Sequence, residues 1–468
     1  MTKRMLFNAF SMNCVSHIQH GMWRRDDTRQ LEYASLDPWL DLARLLERGC
    51  FDALFLADVV GAYDAYKGGW QSALTEAVQL PVNDPSYLIP AMATVTDHLG
   101  FAFTGSVLQT HPFAFARQLS TLDHLTRGRV AWNIVTSYLT NAARNLGFDD
   151  LPDHDERYER ADEYLEVLYK LLEGSWEDGA VLRDRVQGVY ADPAKVHTID
   201  HAGRFYDVVG PHLCEPSPQR TPLLFQAGTS ERGREFAARH AECVFLVASI
   251  RSGSAARVIG DVRARAARYG RRPEDIKFFA AVSPVVGGTE AEARAKEADY
   301  RESFSVEGSL VHMSGNLGVD LGSVDPDRPL SSFDWNAVQG MVKQLFESAP
   351  DRSWTFRDII KRQMAGSFLT GAPDQIADRL AAFQQAGVDG VNMVYTVTPG
   401  TFEDFIDGVV PVLQQRGLMQ REYRPGTLRE KVFEAGDRLP ARHPAGRFRH
   451  LGGSRPGAGA TQSPAPPR

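Results

Sequence analysis

The sequence predicts an α/β fold, a (β/α)8 TIM barrel with insertions after the fourth and seventh strands and a disordered C-terminal tail. Three observations carry this expectation. Eight apolar, β-prone runs recur along the 468 residues. Stretches with helical periodicity lie between them, which implies parallel strands joined by helical crossovers. No GxGxxG follows the first run, so the main sign of a doubly wound sheet is missing.

The elements follow in order. Met5–Phe10 is the first strand, and Pro38–Arg48 the first crossover helix. Ala53–Ala57 comes second. Phe101–Ser106 is third, with Ala114–Leu125 as its helix. The fourth, Val130–Thr136, has the apolar run of a buried strand and ends among polar residues, Asn133, Thr136 and Ser137. Its helix, Asp155–Leu172, is announced by Asp153 and Glu156 at capping-box spacing. His154, Tyr158, Ala161, Leu165, Leu168 and Leu172 then share one helix face, so His154 and Tyr158 are expected to head an inward-packing stripe. Leu223–Ala227 is the fifth strand, followed by Gly228-Thr229-Ser230 and the helix Arg232–His240. Val244–Ala248 with Ala255–Tyr269 is sixth, Lys277–Val286 seventh with Pro373–Ala386 as its late helix, and Val391–Val397 eighth.

Two spans exceed a minimal barrel of ~250 residues, about 175–222 and 289–372. Insertions that follow strands usually sit over the active-site face, so both are expected to form a lid and walls there. Residues 1–436 read as one barrel domain. From 437 to 468 the chain is rich in Pro, Gly, Ala, Ser and Arg and reads as a disordered basic tail.

Net charge is −7. From Arg421 onward ten Lys and Arg face four Asp and Glu, so the remainder is strongly acidic, which argues against nucleic acid as a partner. No apolar run reaches membrane-span length, and MTKRMLFNAFSMNC lacks the apolar core of a signal peptide. The four cysteines are scattered with no CxxC pair, as in a reduced, cytoplasmic protein.

Barrel chemistry gathers at the C-terminal ends of strands. Those ends supply Asp58, Thr104, Asn133 to Ser137, and Gly228-Thr229-Ser230. Most are neutral hydrogen-bonding groups, which suit a large uncharged heterocycle carrying one phosphate. A helix N-terminus offers unpaired N–H groups to such a phosphate, and both His154–Tyr158 and Ser230 lie at one. Each residue alone also reads as an ordinary cap, turn or core group. A metal site is not expected: MLFNAF holds no histidine, and His17, His20, His197 and His201 form no three-ligand set with a carboxylate. No GxSxG elbow occurs either.

The same stretches carry a family resemblance. FDALFLADVVGAYDAYKG, PVNDPSYLIPAMATVTDHLGF, ARQLSTLDHLTRGRVAWNIVTSYLTNAARNLG, HDERYERADEYLEVLYKLLEGSWE, DPAKVHTIDHAGRFYDVVGPHLCEPSPQRTPLLFQAGTSERGREFAARHAE and GTLRE span about residues 5 to 430. In them the chain resembles the flavin-dependent monooxygenases related to bacterial luciferase, in the branch that oxidises nitrilotriacetate, EDTA, dibenzothiophene sulfone or dimethyl sulfide. The resemblance implies a homodimer or homotetramer that binds reduced FMN from a separate NAD(P)H-dependent flavin reductase. It implies that O2 adds to the flavin as a C4a-(hydro)peroxide, which oxygenates a small organic, organosulfur or xenobiotic substrate. It carries flavin contacts to Asp58, Thr104, His154, Tyr158 and Ser230, with Asn133, Ser137, Gly228 and Thr229 in the same phrases. His20 and His312 are the candidates for work beside the flavin. Leu310, Val311, Met313 and Leu317 suggest an apolar substrate wall, with Arg24, Arg25 and Lys67 as possible counterexamples. Two rivals stay open: an F420-type hydride-transfer oxidoreductase, and a flavin-binding protein without turnover.

Overall fold

The computed structural model describes residues 4–449 except 229, 247–253, 324, 326, 329–353, 356, 359 and 361–367. Eight parallel strands run in chain order around a closed barrel: β1 Leu6–Met12, β2 Ala53–Ala57, β3 Gly100–Ser106, β4 Val130–Val135, β5 Leu223–Gln226, β6 Cys243–Leu246, β7 Lys277–Val286 and β8 Gly390–Val394. Pairing of β1 with β8 and of β6 with β7 completes the ring. Both faces of these strands are buried, which is why they read as unbroken apolar runs. Leu6, Phe10, Phe55, Ala102, Ala131, Phe225, Phe279 and Val394 fill the interior. Phe10, Phe55, Phe225 and Phe279 cross it as a chain of rings 5.2 to 5.4 Å apart, a solid floor beneath the barrel mouth. The alternate residues, such as Phe7, Leu54, Phe103 and Trp132, pack outward on the helices.

The GTLRE phrase closes the opposite end. Thr427 and Glu430 form a reciprocal cap that starts the short helix Leu428–Phe433. Leu428 and Val432 enter the interior cluster. Arg429, 1% exposed, bonds Glu242 just before β6 at 2.7 and 2.8 Å and the Thr221 carbonyl just before β5 at 2.8 Å. This helix is a plug on the N-terminal face of the barrel.

Several expectations need correction. The helix of β4, His154–Tyr169, starts at Asp153 as expected, but Asp153 makes no side-chain cap bond, so the predicted box is absent. Its buried stripe begins at Tyr158; His154 faces solvent. The 175–222 insertion does not cover the mouth. It leaves from the far end of that helix, after a π-helical turn at Lys170–Gly174, and so begins at the N-terminal face. It then packs along the outer helices: Gln219 bonds Asp123, His212 bonds Ser120, and Glu163 accepts the backbone N–H groups of Arg204, Phe205 and Tyr206. The 289–372 insertion does form a cap, through the helices Glu290–Ser303 and Val306–Leu317. It also adds Phe368–Gly371 beside the end of β7. The expected tail boundary at 437 falls too early. His443 and Ala445 are buried, Arg442 pairs with Asp275, and Arg449 bonds Glu173 at 2.7 Å. The rest of the tail lies outside the described residues, as does the end of the sixth predicted strand.

Candidate active site

Thr104 on β3 and Asn133 on β4 are register partners at the mouth. Asn133 Nδ2 donates to Thr104 Oγ1 at 2.9 Å, which leaves Asn133 Oδ1 buried without a partner. Beyond them the Ser106 and Ser137 hydroxyls lie 2.7 Å apart, with Ser137 held at φ 62°. Asp58 follows β2 and accepts from the Val59 N–H at 2.9 Å. Burial first, and the Asp84 carboxylate second, push its carboxyl up to about 7. Asp58, Thr104, Ser106 and Ser137 line one cavity of about 70 Å³, together with Tyr138 and Gln109.

Tyr158 occupies a second part of the mouth. Its hydroxyl fits a niche made by two glycines: a Cβ at Gly228 or Gly233 would come within 2.8 or 2.7 Å of it. Ser230 caps the helix Glu231–His240 by accepting from the Gly233 N–H at 3.0 Å. Thr229, between them, lies outside the described residues. His154 stands apart, half-exposed, bonded to Asp155 at 2.9 Å with only a ring contact to Tyr158. Arg157 joins the two parts by donating to the Ser137 carbonyl, and its Nε is buried without a partner. A cation in the first turn of a helix works against the helix dipole. That misplacement is the sequence signal by which Arg157 could have been found.

The cap supplies the third part. On the helix Val306–Leu317, residues 308, 312 and 315 share a face. Gly308 rests on His20, Gly315 rests on the ring of Tyr63, and His312 lies between them, 5.0 Å from His20 and 5.1 Å from Tyr63 by ring centroids. His20 and His312 are thus brought together across 292 positions of the sequence. Burial holds both imidazoles neutral, His20 well below its usual range and His312 lowered to about 4; His17 beside them falls to about 3. Both His20 nitrogens are buried without a partner. Tyr63 bonds Tyr138, and also Gln79 at 3.2 Å, while Gln79 donates to the His17 carbonyl at 2.8 Å. Sequence reading missed Tyr63, Tyr138 and Gln79, and weighed His17 only as a metal ligand, because only the fold assembles them. Leu310, Val311 and Met313 bury themselves in an apolar cluster with Tyr63, Tyr66 and Leu139, so they hold the cap down.

The three possible counterexamples are spent elsewhere. Arg24 donates to the Gly21 and Ser303 carbonyls, Arg25 pairs with Asp27 and Asp299, and Lys67 with Glu307. Among the described residues no three His, Cys, Asp or Glu side chains converge as metal ligands, and no helix is long and apolar enough to cross a membrane.

Comparison with known proteins adds a separate line of evidence. Residues 12–390 match the family described as Luciferase-like monooxygenase. The chain is 49% identical to the long-chain alkane monooxygenase of Geobacillus thermodenitrificans (strain NG80-2), over 96% of this chain and 99% of that one. It is 46% identical to the dimethyl-sulfide monooxygenase of Hyphomicrobium sulfonivorans, over 96% and 94%. The crystal structure of the alkane enzyme, LadA, superposes with a TM-score of 0.88 over 96% of this chain and all of that one (100%). A riboflavin lyase, RcaE, solved with modified FMN and riboflavin, is 35% identical and superposes at 0.86 over 96% of this chain and 100% of that one.

Proposed function

Because this chain belongs to the luciferase-like monooxygenase family, we propose that it is the oxygenase component of a two-component system. In this reading it takes reduced FMN from a separate NAD(P)H-dependent flavin reductase and uses O2 to oxygenate a small apolar organic substrate. The observation that carries the proposal is the donor and acceptor set at the mouth. Asn133 Oδ1 is a buried acceptor with no partner, and Arg157 is a partly buried cation whose Nε has none. An uncharged heterocycle with N–H edges suits the first, and a phosphate suits the second.

Asp58, Thr104, Asn133 and Ser137 would hold the ring system and its side chain. Arg157, Tyr158, Ser230 and the N-terminus of Glu231–His240, with Gly228 and Thr229 before it, would hold the phosphate. His154 would stand at the outer edge. When bound, reduced FMN supplies two electrons for activating O2, with one oxygen atom going to the substrate and one to water. The work left to this chain is to position the substrate, exclude bulk water and manage protons. The cap over His20 and Tyr63 excludes water. His20, neutral and unpartnered, would donate a hydrogen bond to an oxygen at the reacting centre, with His312 and the Tyr63 hydroxyl behind it.

The substrate reading rests on what the mouth lacks among the described residues. A polycarboxylate needs clustered cations, and Arg24, Arg25 and Lys67 are all committed at the rim. The two relatives named for an alkane and for dimethyl sulfide act on uncharged compounds. An alkane, a sulfide or a similar apolar compound fits best, and a homodimer or homotetramer is the expected assembly.

The test is anaerobic titration with reduced FMN, followed by oxygen uptake with a reductase present. Tyr158→Ala and Ser230→Ala should each weaken reduced-FMN affinity by about tenfold. Intact affinity in both would overturn the site. Oxygen uptake no greater than that of the reductase alone, across apolar substrates, would favour a flavin-binding protein. Reduction of substrate by F420H2 instead would favour hydride transfer.

A further inference from the structure

A second pocket, of about 210 Å³, lies between the end of β1 and the first crossover helix. Its inner wall is the end of β1 with Ser11, Met12 and Cys14, and Tyr395 just after β8. Its outer wall is Trp39, Leu42 and Leu45 of the first crossover helix, Asp37–Arg48. It shares no lining residue with the cavity at Asp58 and Thr104. A dry cavity of roughly 150 Å³ accepts benzene, so this one accepts a ring with substituents.

Its polar groups define what it rejects. Arg29 is the cation of the lining, and its guanidinium is committed to Glu32 at 2.8 and 3.1 Å and to Asp41 at 3.0 Å. Gln30 donates to the Val15 carbonyl at 2.8 Å and its amide oxygen accepts from Thr28 at 3.0 Å. The Trp39 indole N–H donates to the Tyr33 carbonyl at 2.9 Å. Asp41 and Glu403 leave the rim with a negative balance. An anion entering here would lose its hydration with no cation to replace it. Aromatic walls, by contrast, accept apolar rings and organic cations.

We propose that this pocket is a second small-molecule site, taking a neutral or cationic compound about one substituted ring in size and excluding anions. Its inner wall ends at Cys14, where the chain passes into the loop bearing His17 and His20. The site stands whether or not the mouth binds flavin.

Calorimetric titration of the intact protein with benzyl alcohol, benzylamine and benzoate tests it. Benzyl alcohol and benzylamine should bind at least about tenfold more tightly than benzoate, and saturating FMN should displace neither. Leu45→Trp, which fills the pocket from its half-buried outer wall, should weaken both ligands by about tenfold or more. Glu403→Lys, on the exposed rim, should weaken benzylamine about threefold and spare benzyl alcohol. Equal binding of benzoate, displacement by FMN, or indifference to Leu45→Trp would overturn the proposal. If Leu45→Trp fails to fold, a crystal soaked in 4-bromobenzyl alcohol decides: bromine signal between Trp39 and Tyr395 supports the site, and signal only elsewhere refutes it.

Discussion

Replacing Gly315 with alanine tests how the cap reaches the site. The new Cβ would stand 2.1 Å from Tyr63 Cδ1 and 2.8 Å from Cε1, well inside contact distance. The ring cannot step aside, because Tyr63 is 1% exposed and its hydroxyl is tied to Gln79 and Tyr138. The helix Val306–Leu317 must therefore lift. Overpacking of this kind costs about 1–3 kcal/mol, and the severity of the clash places it near the upper end. Alanine returns up to ~1 kcal/mol of helix propensity over glycine. The net loss is then about 1–2 kcal/mol, concentrated on cap closure. Native-state hydrogen exchange reads it directly: amides of 306–317 should exchange roughly 5- to 30-fold faster, with the barrel strands unchanged. Gly260→Ala is the control, since nothing lies within 4 Å of its Cβ on the helix Ser254–Arg268. It should stabilise by about 0.5–1 kcal/mol. Unchanged or slower exchange in 306–317 of the Gly315→Ala protein would refute the claim that Gly315 seats the cap on Tyr63.

Arg429→Met should lower stability by about 3–5 kcal/mol, because it leaves the buried Glu242 carboxylate unpaired, and a denaturant midpoint measures it; adding Glu242→Gln should recover much of the loss. His20→Ala should reduce turnover by about a hundredfold while leaving reduced-FMN affinity within error, and full turnover would remove His20 from the chemistry. Acid should destabilise the fold. His17 and His312 have folded pKa values of about 3 and about 4, below the ordinary 6.5, so the unfolded chain binds the extra protons and stability falls as pH drops below 6.5. Asp58, raised to about 7, works the other way, gaining stability as pH falls from 7 toward 4. Each group contributes about 1.4 kcal/mol per pH unit, so the two histidines outweigh the one carboxyl. Melting temperatures between pH 7 and pH 4.5 that stay level or rise would contradict this.

The barrel was legible because eight short apolar runs, left by burial on both strand faces, alternate with segments of helical period. The position of Asp58, Thr104, Asn133 and Ser137 at the mouth was legible for a related reason: they follow or end such runs, and the runs mark where the strands stop. The 175–222 insertion was misplaced because it was treated as following the fourth strand, although the predicted helix between them returns the chain to the opposite end of the barrel. Here it leaves from the end of the helix His154–Tyr169, not from the end of a strand. His154 keeps the period of its helix face, but in the first turn it bonds its neighbour Asp155 and stays half-exposed, so periodicity overstated its burial. Gly308 and Gly315 drew no reading from the sequence. Their use, letting a helix settle on His20 and Tyr63, is a contact between residues more than 240 apart in sequence and has no local signature.

The plug helix has a consequence for how the protein is made. Leu428 and Val432 share one interior cluster with Leu6 and Phe10 of β1. Glu242 lacks its bidentate partner until Arg429 arrives. All eight strands leave the ribosome before this helix does, so the nascent barrel is open at its lower end, with its aromatic floor reachable by water from below. Completion of the core therefore waits on the translation of residues 428–433, and a ribosome stalled short of them holds a chain with every strand but no sealed interior.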